Sequence, residues 1–226
     1  MLIKKLTMVT LMLTALTMAG CGSVYKPQLA HVPLIDHRGD IRVSAAAEAP
    51  RNASLSVSAG LTDHIALQYH LGTTYLTHSL EYTHFAGGLY FPMGQSVLET
   101  YVGYGLGEGG MTKADDFDYK GSYRLPFVQV NYGWKNLTKL HIDVGGALKV
   151  GYWMPEYRIS YSDPGMQRME YYTNGWLLEP QVFFRMGWER VKFGVQVGTT
   201  LLDDSRFPQR MSYHRMSYSI GTTIYF

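Results

Sequence analysis

The sequence predicts an all-β protein, a transmembrane antiparallel up-and-down β-barrel of about ten strands, with eight strands as the alternative. Short segments of alternating polar and apolar residues recur from residue 40 onward, as in strands with two different environments on their faces. The connections between them alternate between tight turns and longer polar stretches. The final segment, Met216 to Phe226, alternates strictly and stops on an aromatic residue, which is typical of the closing strand of an outer-membrane barrel.

The first element is an N-terminal signal peptide, residues 1–20. Lys4 and Lys5 precede a short apolar stretch that is interrupted by threonines. This stretch is too short to cross a bilayer as a helix, which takes about 20 apolar residues.

The signal ends in Leu16-Thr-Met-Ala-Gly-Cys21, which resembles the lipobox of bacterial lipoproteins. Met18 stands where that motif usually has leucine. Cys21 is the only cysteine of the chain, so an internal disulfide is excluded. We therefore expect lipidation of Cys21; the alternative is a plain cleaved signal peptide and an incidental thiol.

Residues 21–39 are predicted to form a periplasmic tether, because Gly22 to Gly39 shows no clear periodicity and contains Pro27 and Pro33. Residues 40–226 are predicted to form one barrel domain. Charged residues make up 17% of the chain, below the roughly 25% of soluble domains. The net charge is only +2 and no basic stripe occurs, so a nucleic-acid partner is not expected.

Ten strands are predicted, and the pattern places them at 40–47, 53–60, 64–71, 76–91, 96–106, 122–133, 137–152, 175–188, 190–201 and 214–226. The stretches 107–121, 153–174 and 202–213 are predicted as long loops. Short periplasmic turns and long outer loops are the rule for such barrels. By that rule, the first strand begins on the periplasmic side and the last strand ends there. Lipid on Cys21 is then expected in the periplasmic leaflet of the outer membrane.

The two faces of the strands differ in character. Large apolar residues such as Val128, Val182 and Val195 are predicted to face lipid, and their small or polar neighbours to face the lumen. Aromatic residues near strand ends are expected at headgroup depth; they are Trp134, Trp176, Trp188, Tyr69, Tyr152 and Tyr225. A soluble, lipid-anchored lipocalin-like barrel, with the large residues inside, is the structural alternative.

The 76–91 strand breaks this pattern, because Leu80 and Tyr82 favour one face while Phe85 and Leu89 fall on the other. A bulge near Phe85-Ala-Gly-Gly88 would restore the alternation, since glycines are frequent at bulges.

Charged residues of both signs are predicted to form a network that plugs the lumen, since opposed charges in a narrow barrel usually pair. The network comprises Arg42, Glu81, Glu99, Asp143, Lys149, Glu179, Arg185 and Lys192.

No catalytic residue, metal site or cofactor is predicted. His78 and Ser79, with Glu81, come nearest to a catalytic group, but adjacent strand residues point to opposite faces. The histidines occur singly, without the spacing of metal ligands.

The 153–174 stretch is the best candidate for an outer binding loop, because it is rich in residue types that are common at interfaces. The candidate residues are Tyr157, Arg158, Tyr161, Arg168, Tyr171 and Tyr172. A surface ligand is the partner considered for this loop; packing of the loop over the barrel mouth explains these residue types equally well.

The lipobox, the Tyr25-Lys-Pro segment leading to Val32-Pro-Leu, and the barrel ending in Phe226 together resemble the small outer-membrane β-barrel lipoproteins of the Bacteroidota. The resemblance implies a location in the outer membrane of a Gram-negative cell envelope, and it implies no catalytic residue. The expected partners are outer-membrane lipids and the barrel assembly machinery, which would engage Phe226. The expected function is a non-enzymatic envelope or surface-interaction role. A narrow pore and a lipid A- or peptide-hydrolysing enzyme are the alternatives.

Overall fold

The computed structural model describes residues 28–49, 52–74, 80–113, 117–161, 169–171, 174–202 and 216–226. No helix among these residues is long and apolar enough to cross a membrane. The described residues form twelve strands: β1 (Ile41–Ala49), β2 (Asn52–Gly60), β3 (Ile65–Thr74), β4 (Leu80–Met93), β5 (Ser96–Lys113), β6 (Phe117–Trp134), β7 (Asp143–Tyr161), β8 (Met169–Tyr171), β9 (Gly175–Gly187), β10 (Val191–Thr199), β11 (Leu201–Leu202) and β12 (Met216–Tyr225).

Ten of these strands close into an antiparallel barrel. Each pairs with the next in the chain from β1 to β7, then β7 pairs with β9, β9 with β10 and β10 with β12. The pairing of β12 with β1 completes the ring. The short strands β8 and β11 extend its rim, against β7 and β9 respectively. The predicted ten-strand barrel is confirmed, and the eight-strand alternative is wrong.

The two ends of the barrel differ. The turn end carries the chain connections 61–64, 94–95, 135–142 and 188–190. The first and last strands also meet there, where Phe226 N–H donates to Ile41 O at 3.0 Å. The opposite end, called the loop end here, carries the longest connections, including 203–215. In transmembrane barrels the longer connections lie outside the cell, so we expect the turn end on the periplasmic side.

One wall of the barrel is much taller than the rest. β5 and β6 each have 18 residues and β7 has 19, whereas β1 and β2 have 9 each. A tilted strand needs about 9–11 residues to cross a bilayer, so the tall wall continues beyond it at the loop end. The predicted loops 107–121 and 153–174 are therefore largely strand: the hairpin of β5 and β6 and the far part of β7 occupy most of them.

The apolar face of the strands points outward, as predicted. Val102, Val182 and Ile220 are 63–68% exposed. The soluble lipocalin-like alternative is wrong, because it required these side chains inside. Trp176 and Trp188 are also exposed on the outer surface. Tyr225 is a correction: it points into the barrel, where its hydroxyl donates to Asp143 Oδ2 at 2.8 Å.

The irregular strand β4 contains no bulge, which corrects the prediction for 76–91. Its pairing with β3 and β5 is uninterrupted, so Tyr82 faces inward. The ring of Tyr82 covers Gly72 on β3, where an added Cβ would lie 2.2 Å from a ring atom. The glycine on the neighbouring strand thus makes room for the ring of Tyr82 inside the barrel. Tyr82 therefore faces inward, although aromatic residues of such barrels usually face lipid.

Candidate functional site: the lumen and its inner segment

The barrel lumen contains part of its own chain. Residues 28–35, called the inner segment here, are all buried, and Val32, Leu34 and Ile35 have no exposed surface. This corrects the prediction that 21–39 is a periplasmic tether, for the part of it that the structure describes. The physical reason is that side chains of the barrel wall bind the backbone of this uncharged segment.

Two glutamines hold the middle of the inner segment. Ala30 N–H donates to Gln181 Oε1 at 2.8 Å, and Gln181 Nε2 donates back to Ala30 O at 2.9 Å. Gln196 Nε2 donates to the same carbonyl at 2.8 Å. A primary amide offers the donor and acceptor of a peptide group, so Gln181 pairs with Ala30 much as a neighbouring strand would.

Other lumen side chains bind the backbone on either side of Ala30. Lys149 Nζ donates to Gln28 O at 3.1 Å and Gln129 Nε2 to His31 O at 2.9 Å. Arg185 donates to Val32 O at 2.6 Å, and Ile35 N–H donates to Glu99 Oε1 at 2.8 Å. Backbone groups buried away from water need such partners, because each unmatched one costs about 1–3 kcal/mol.

Apolar contacts complete the fit. Val32 and Leu34 form a buried cluster with Val97, Ala147 and Phe183 of the wall. Each fully buried side chain of this size contributes about 1.5–3 kcal/mol relative to exposure. The segment is therefore bound as a packed and hydrogen-bonded element of the barrel.

Seven of the eight residues predicted for the lumen charge network are buried; Glu81 is the exception. Lys149 Nζ lies 2.5 Å from Glu179 Oε2, and Lys192 Nζ lies 2.5 Å from Asp143 Oδ1. Glu81 is exposed because the regular alternation of β4 turns its odd-numbered residues outward.

The network therefore does not plug the lumen by itself. Its buried members fall into three groups: the two ion pairs, the side chains of Glu99 and Arg185, which bind the inner segment, and Arg42, which pairs with Asp40 at the turn end.

A separate charged cluster closes the turn end. Arg42 binds Asp40, and Lys135 Nζ lies 2.5 Å from Asp36 Oδ2. Partial burial raises the pKa of Asp36, but the hydrogen bond and charge of Lys135 outweigh it and hold that pKa well below its usual range. Burial lowers the pKa of Lys135, an effect that the charge of Arg42 reinforces and Asp36 opposes.

Asp36, His37 and Asp40 place ligand atoms within 4.8 Å of one another, a spacing that a metal ion could use. The two carboxylates already bind Arg42 and Lys135. The cluster is thus explained by its ion pairs and is not assigned as a metal site.

A hydrogen-bonded polar cluster that the sequence did not reveal lies on β1 to β4. Ser56 Oγ is 2.6 Å from His70 Nδ1, and His70 Nε2 is 3.3 Å from the Tyr82 hydroxyl. That hydroxyl donates to Glu48 Oε2 at 3.3 Å, and Ser54 Oγ donates to Glu48 Oε1 at 2.6 Å.

A serine beside a histidine is the first part of a hydrolase nucleophile and its base, but here the Tyr82 hydroxyl lies between His70 and Glu48, so no acid orients the histidine directly. The adjoining cavity measures about 50 Å³. One or two waters fill such a volume, so a peptide or a lipid does not fit beside Ser56 in this conformation.

Several predicted sites fall outside the described residues: Cys21, His78, Ser79, Arg168 and Tyr172. Arg158 lies on β7 and is exposed. Tyr157 and Tyr161 also lie on β7, and Tyr171 lies on β8, where it pairs in register with Tyr157.

The sequence contained one signal for the inner segment. Residues 27–35, Pro-Gln-Leu-Ala-His-Val-Pro-Leu-Ile, include no Asp, Glu, Lys or Arg. Linkers in water are usually rich in polar and charged residues, so this composition favours burial.

Comparison with known proteins defines the fold. The structure is similar to the outer-membrane protease OmpT from Escherichia coli, with a TM-score of 0.57 and 11% identity over 88% of this chain and 99% of that one. It is also similar to the translocator domain of the autotransporter NalP from Neisseria meningitidis, with a TM-score of 0.44 and 11% identity over 83% and 86% of the two chains. For the KdgM porin in complex with oligogalacturonate the TM-score is 0.40, with 13% identity over 83% and 99%. No protein-family model and no curated protein sequence matches the chain.

Proposed function

We propose that this protein is an outer-membrane barrel whose lumen is sealed by its own inner segment, with a non-enzymatic role in the cell envelope or in surface interactions. The exposed apolar belt supports a position in a lipid bilayer, since soluble monomers rarely expose a continuous apolar surface of such extent. The surrounding lipids are then the protein's first partners.

The observation that carries the proposal is the burial of the inner segment in the lumen. Its backbone is bound from several sides of the barrel, by residues of β5, β6, β7, β9 and β10. Among the described residues, the segment occupies the part of the lumen that would hold the water column of an open pore, which supports a sealed barrel.

A gated narrow pore is the second candidate, and one feature favours it. The inner segment is held by hydrogen bonds and packing alone, and the wall behind it carries the cationic groups of Lys149 and Arg185. If the segment left, these charges would line a polar channel.

Conductance in planar lipid bilayers tests the proposal. The wild-type protein is expected to be silent. The double variant Val32→Asp/Leu34→Asp places two charges at sites without exposed surface and is expected to expel the segment, because unpaired buried charges are costly. It should conduct in discrete steps. The control Leu137→Asp/Leu140→Asp makes the same chemical change on exposed side chains of a turn and should stay silent.

The possible outcomes separate the two candidates. Conductance by the wild type would contradict the sealed barrel and favour the pore. A silent Val32→Asp/Leu34→Asp variant that is folded would show that the inner segment is not what closes the lumen.

Two further features belong to the same proposal. Cys21 is proposed as a lipidated residue, on the strength of the lipobox-like sequence before it. Phe226, exposed at the turn end, is proposed as the signal that the barrel assembly machinery recognises. No catalytic role is proposed, because the buried Ser56 and His70 face a cavity too small for a substrate.

A further inference from the structure

A cavity of about 50 Å³ separates the inner segment from one side of the barrel wall. The backbone of residues 28–31 is hydrogen-bonded to side chains of β6, β7, β9 and β10. On the other side of the segment lie β1, β2 and β12, whose inward residues are small; those that line the cavity include Ser44, Ala46, Ser56, Gly221 and Thr223. These small side chains leave room between the segment and the wall.

Arg185 reaches this cavity from β9 and carries a charge without a matched partner. Its side chain passes over Gly194 of β10, where an added Cβ would lie 2.6 Å from Arg185 Cγ. Nη2 donates to Val32 O at 2.6 Å, whereas Nη1 is buried and has no hydrogen-bond partner. Among the described residues, no carboxylate forms an ion pair with Arg185. Asp143, its register partner on β7, is bound by Lys192.

Other groups that line the cavity also lack partners. Ser44 Oγ and Thr223 Oγ1 lie 2.9 Å apart. Two hydroxyls that share one hydrogen bond leave one O–H group free to donate. His31 is 8% exposed, and its Nε2 has no hydrogen-bond partner. The cavity therefore brings together a buried cation and groups that can donate, and a buried charge is costly unless an opposite charge accompanies it.

Glu48 does not supply that opposite charge, although it also lines the cavity. In the pairing of β1 with β12, Ser44 lies opposite Thr223 and Glu48 lies opposite Ser219, four residues further along. Four residues of a strand span about 13 Å. The two carboxylate oxygens of Glu48 accept hydrogen bonds from the hydroxyls of Ser54 and Tyr82. Glu48 thus occupies the far end of the cavity and has its own partners.

We propose that this cavity binds one small inorganic anion of the chloride type, between Arg185 Nη1 and the Ser44–Thr223 hydroxyl pair. The ion neutralises the guanidinium that holds Val32 and thereby links the inner segment to the β1 and β12 side of the wall. A space that one or two waters fill admits a monatomic anion and excludes organic acids. This inference rests on the inner segment that seals the barrel in the proposed function, and it adds a ligand.

Urea unfolding of the full-length protein in lipid vesicles, followed by the heat-modifiable gel shift, tests the site. Chloride is exchanged for gluconate, which is too large for the cavity, at constant ionic strength. For the wild type, each tenfold rise in chloride above its dissociation constant should lower the equilibrium constant of unfolding about tenfold, because one ion binds the folded state alone. The ion is able to bind during folding, so the measurement requires no open route into the lumen.

Two kinds of variant locate the ion. Arg185→Gln keeps an amide donor near Val32 O but removes the charge, and its stability should not depend on chloride. Ala46→Val adds methyl groups inside the cavity, leaves Arg185 intact and should weaken the chloride dependence. The matched control is Ala47→Val, which makes the same change on an exposed side chain of β1 and should respond to chloride as the wild type does.

Crystals of the protein refolded in bromide give a second measurement that needs no variant. The anomalous scattering of bromide should produce a peak beside Arg185 Nη1. A wild-type unfolding constant independent of chloride, an equal chloride dependence in Arg185→Gln, or an anomalous map without bromide at Arg185 would each overturn the proposal. If the wild type is nonetheless silent in conductance, the sealed barrel stands and only the anion site is wrong.

Discussion

Removing one partner of the buried Lys149–Glu179 pair should destabilise the barrel strongly, and removing both should recover part of the loss. The variants are Lys149→Met and Glu179→Gln, which keep most of the side-chain volume. Lys149 and Glu179 side chains are only 1% and 6% exposed, so neither charge can be satisfied by bulk water. Thr200 Oγ1 donates to Glu179 Oε1 at 2.8 Å, and the glutamine retains an acceptor for it.

The magnitude follows from the geometry. Two unit charges 2.5 Å apart attract by about 7 kcal/mol at an effective dielectric constant of about 20. The loss of hydration of both ions offsets most of this, so the pair contributes little in total. Each single variant leaves one buried charge unmatched and should cost about 3–5 kcal/mol. The double variant should cost clearly less than the sum of the two singles.

Urea unfolding in lipid vesicles, followed by the heat-modifiable gel shift, measures these differences. The matched control is Arg124→Met, which breaks the exposed Arg124–Glu156 pair at 3.4 Å; it should cost under about 1 kcal/mol. Single variants of Lys149 and Glu179 that are as stable as the wild type would refute the reasoning. They would show that water reaches the pair and that the lumen is not sealed.

Three other predictions concern the faces of the wall, the membrane anchor and the turn end. Val195→Arg on the outer surface should destabilise the folded barrel by about 2–4 kcal/mol in urea titrations, whereas Leu137→Arg, on an exposed side chain of the turn 135–142, should be tolerated better; equal losses would contradict the position of Val195 on the lipid-facing side. Cys21→Ala should remain in the outer-membrane fraction, because the apolar belt holds the barrel there without acyl chains; a soluble periplasmic variant would contradict this. Asp36→Asn should lower the stability of the barrel at neutral pH, because the pKa of Asp36 is depressed in the folded state. The ionised carboxylate therefore stabilises the fold above the ordinary carboxyl pKa, and this stabilisation is lost as the pH falls toward the pKa of the folded state. The stability difference from wild type should therefore shrink in acid, and a difference independent of pH would exclude the ion pair with Lys135 as its cause.

The strand pattern was predictable from the sequence because each strand carries its own alternation. Because lipid lies outside and polar groups lie inside, polar and apolar residues alternate along every strand. The outward position of Val182 and the inward position of Gln181 could therefore be predicted without knowing which strand lies beside them. The position of Tyr82 was not predictable in this way, because it depends on Gly72 across the sheet.

The inner segment could not be placed from the sequence for a related reason. Its fold is determined by distant residues: Ala30 and Gln181 are 151 positions apart. The segment has no regular period of its own, since its backbone pairs with side chains and not with a strand. The lumen charges were predictable as a set, but the choice of Lys192 as the partner of Asp143 follows from the register of the closed barrel.

Amide hydrogen exchange of the inner segment tests the central claim most directly. In the folded barrel, Ala30 N–H donates to Gln181 and Ile35 N–H donates to Glu99. Both amides lie in the closed lumen, so they are expected to exchange as slowly as those of the surrounding strands. Exchange at the rate of an unstructured peptide, in a barrel whose strands remain protected, would contradict the sealed lumen and the role that follows from it.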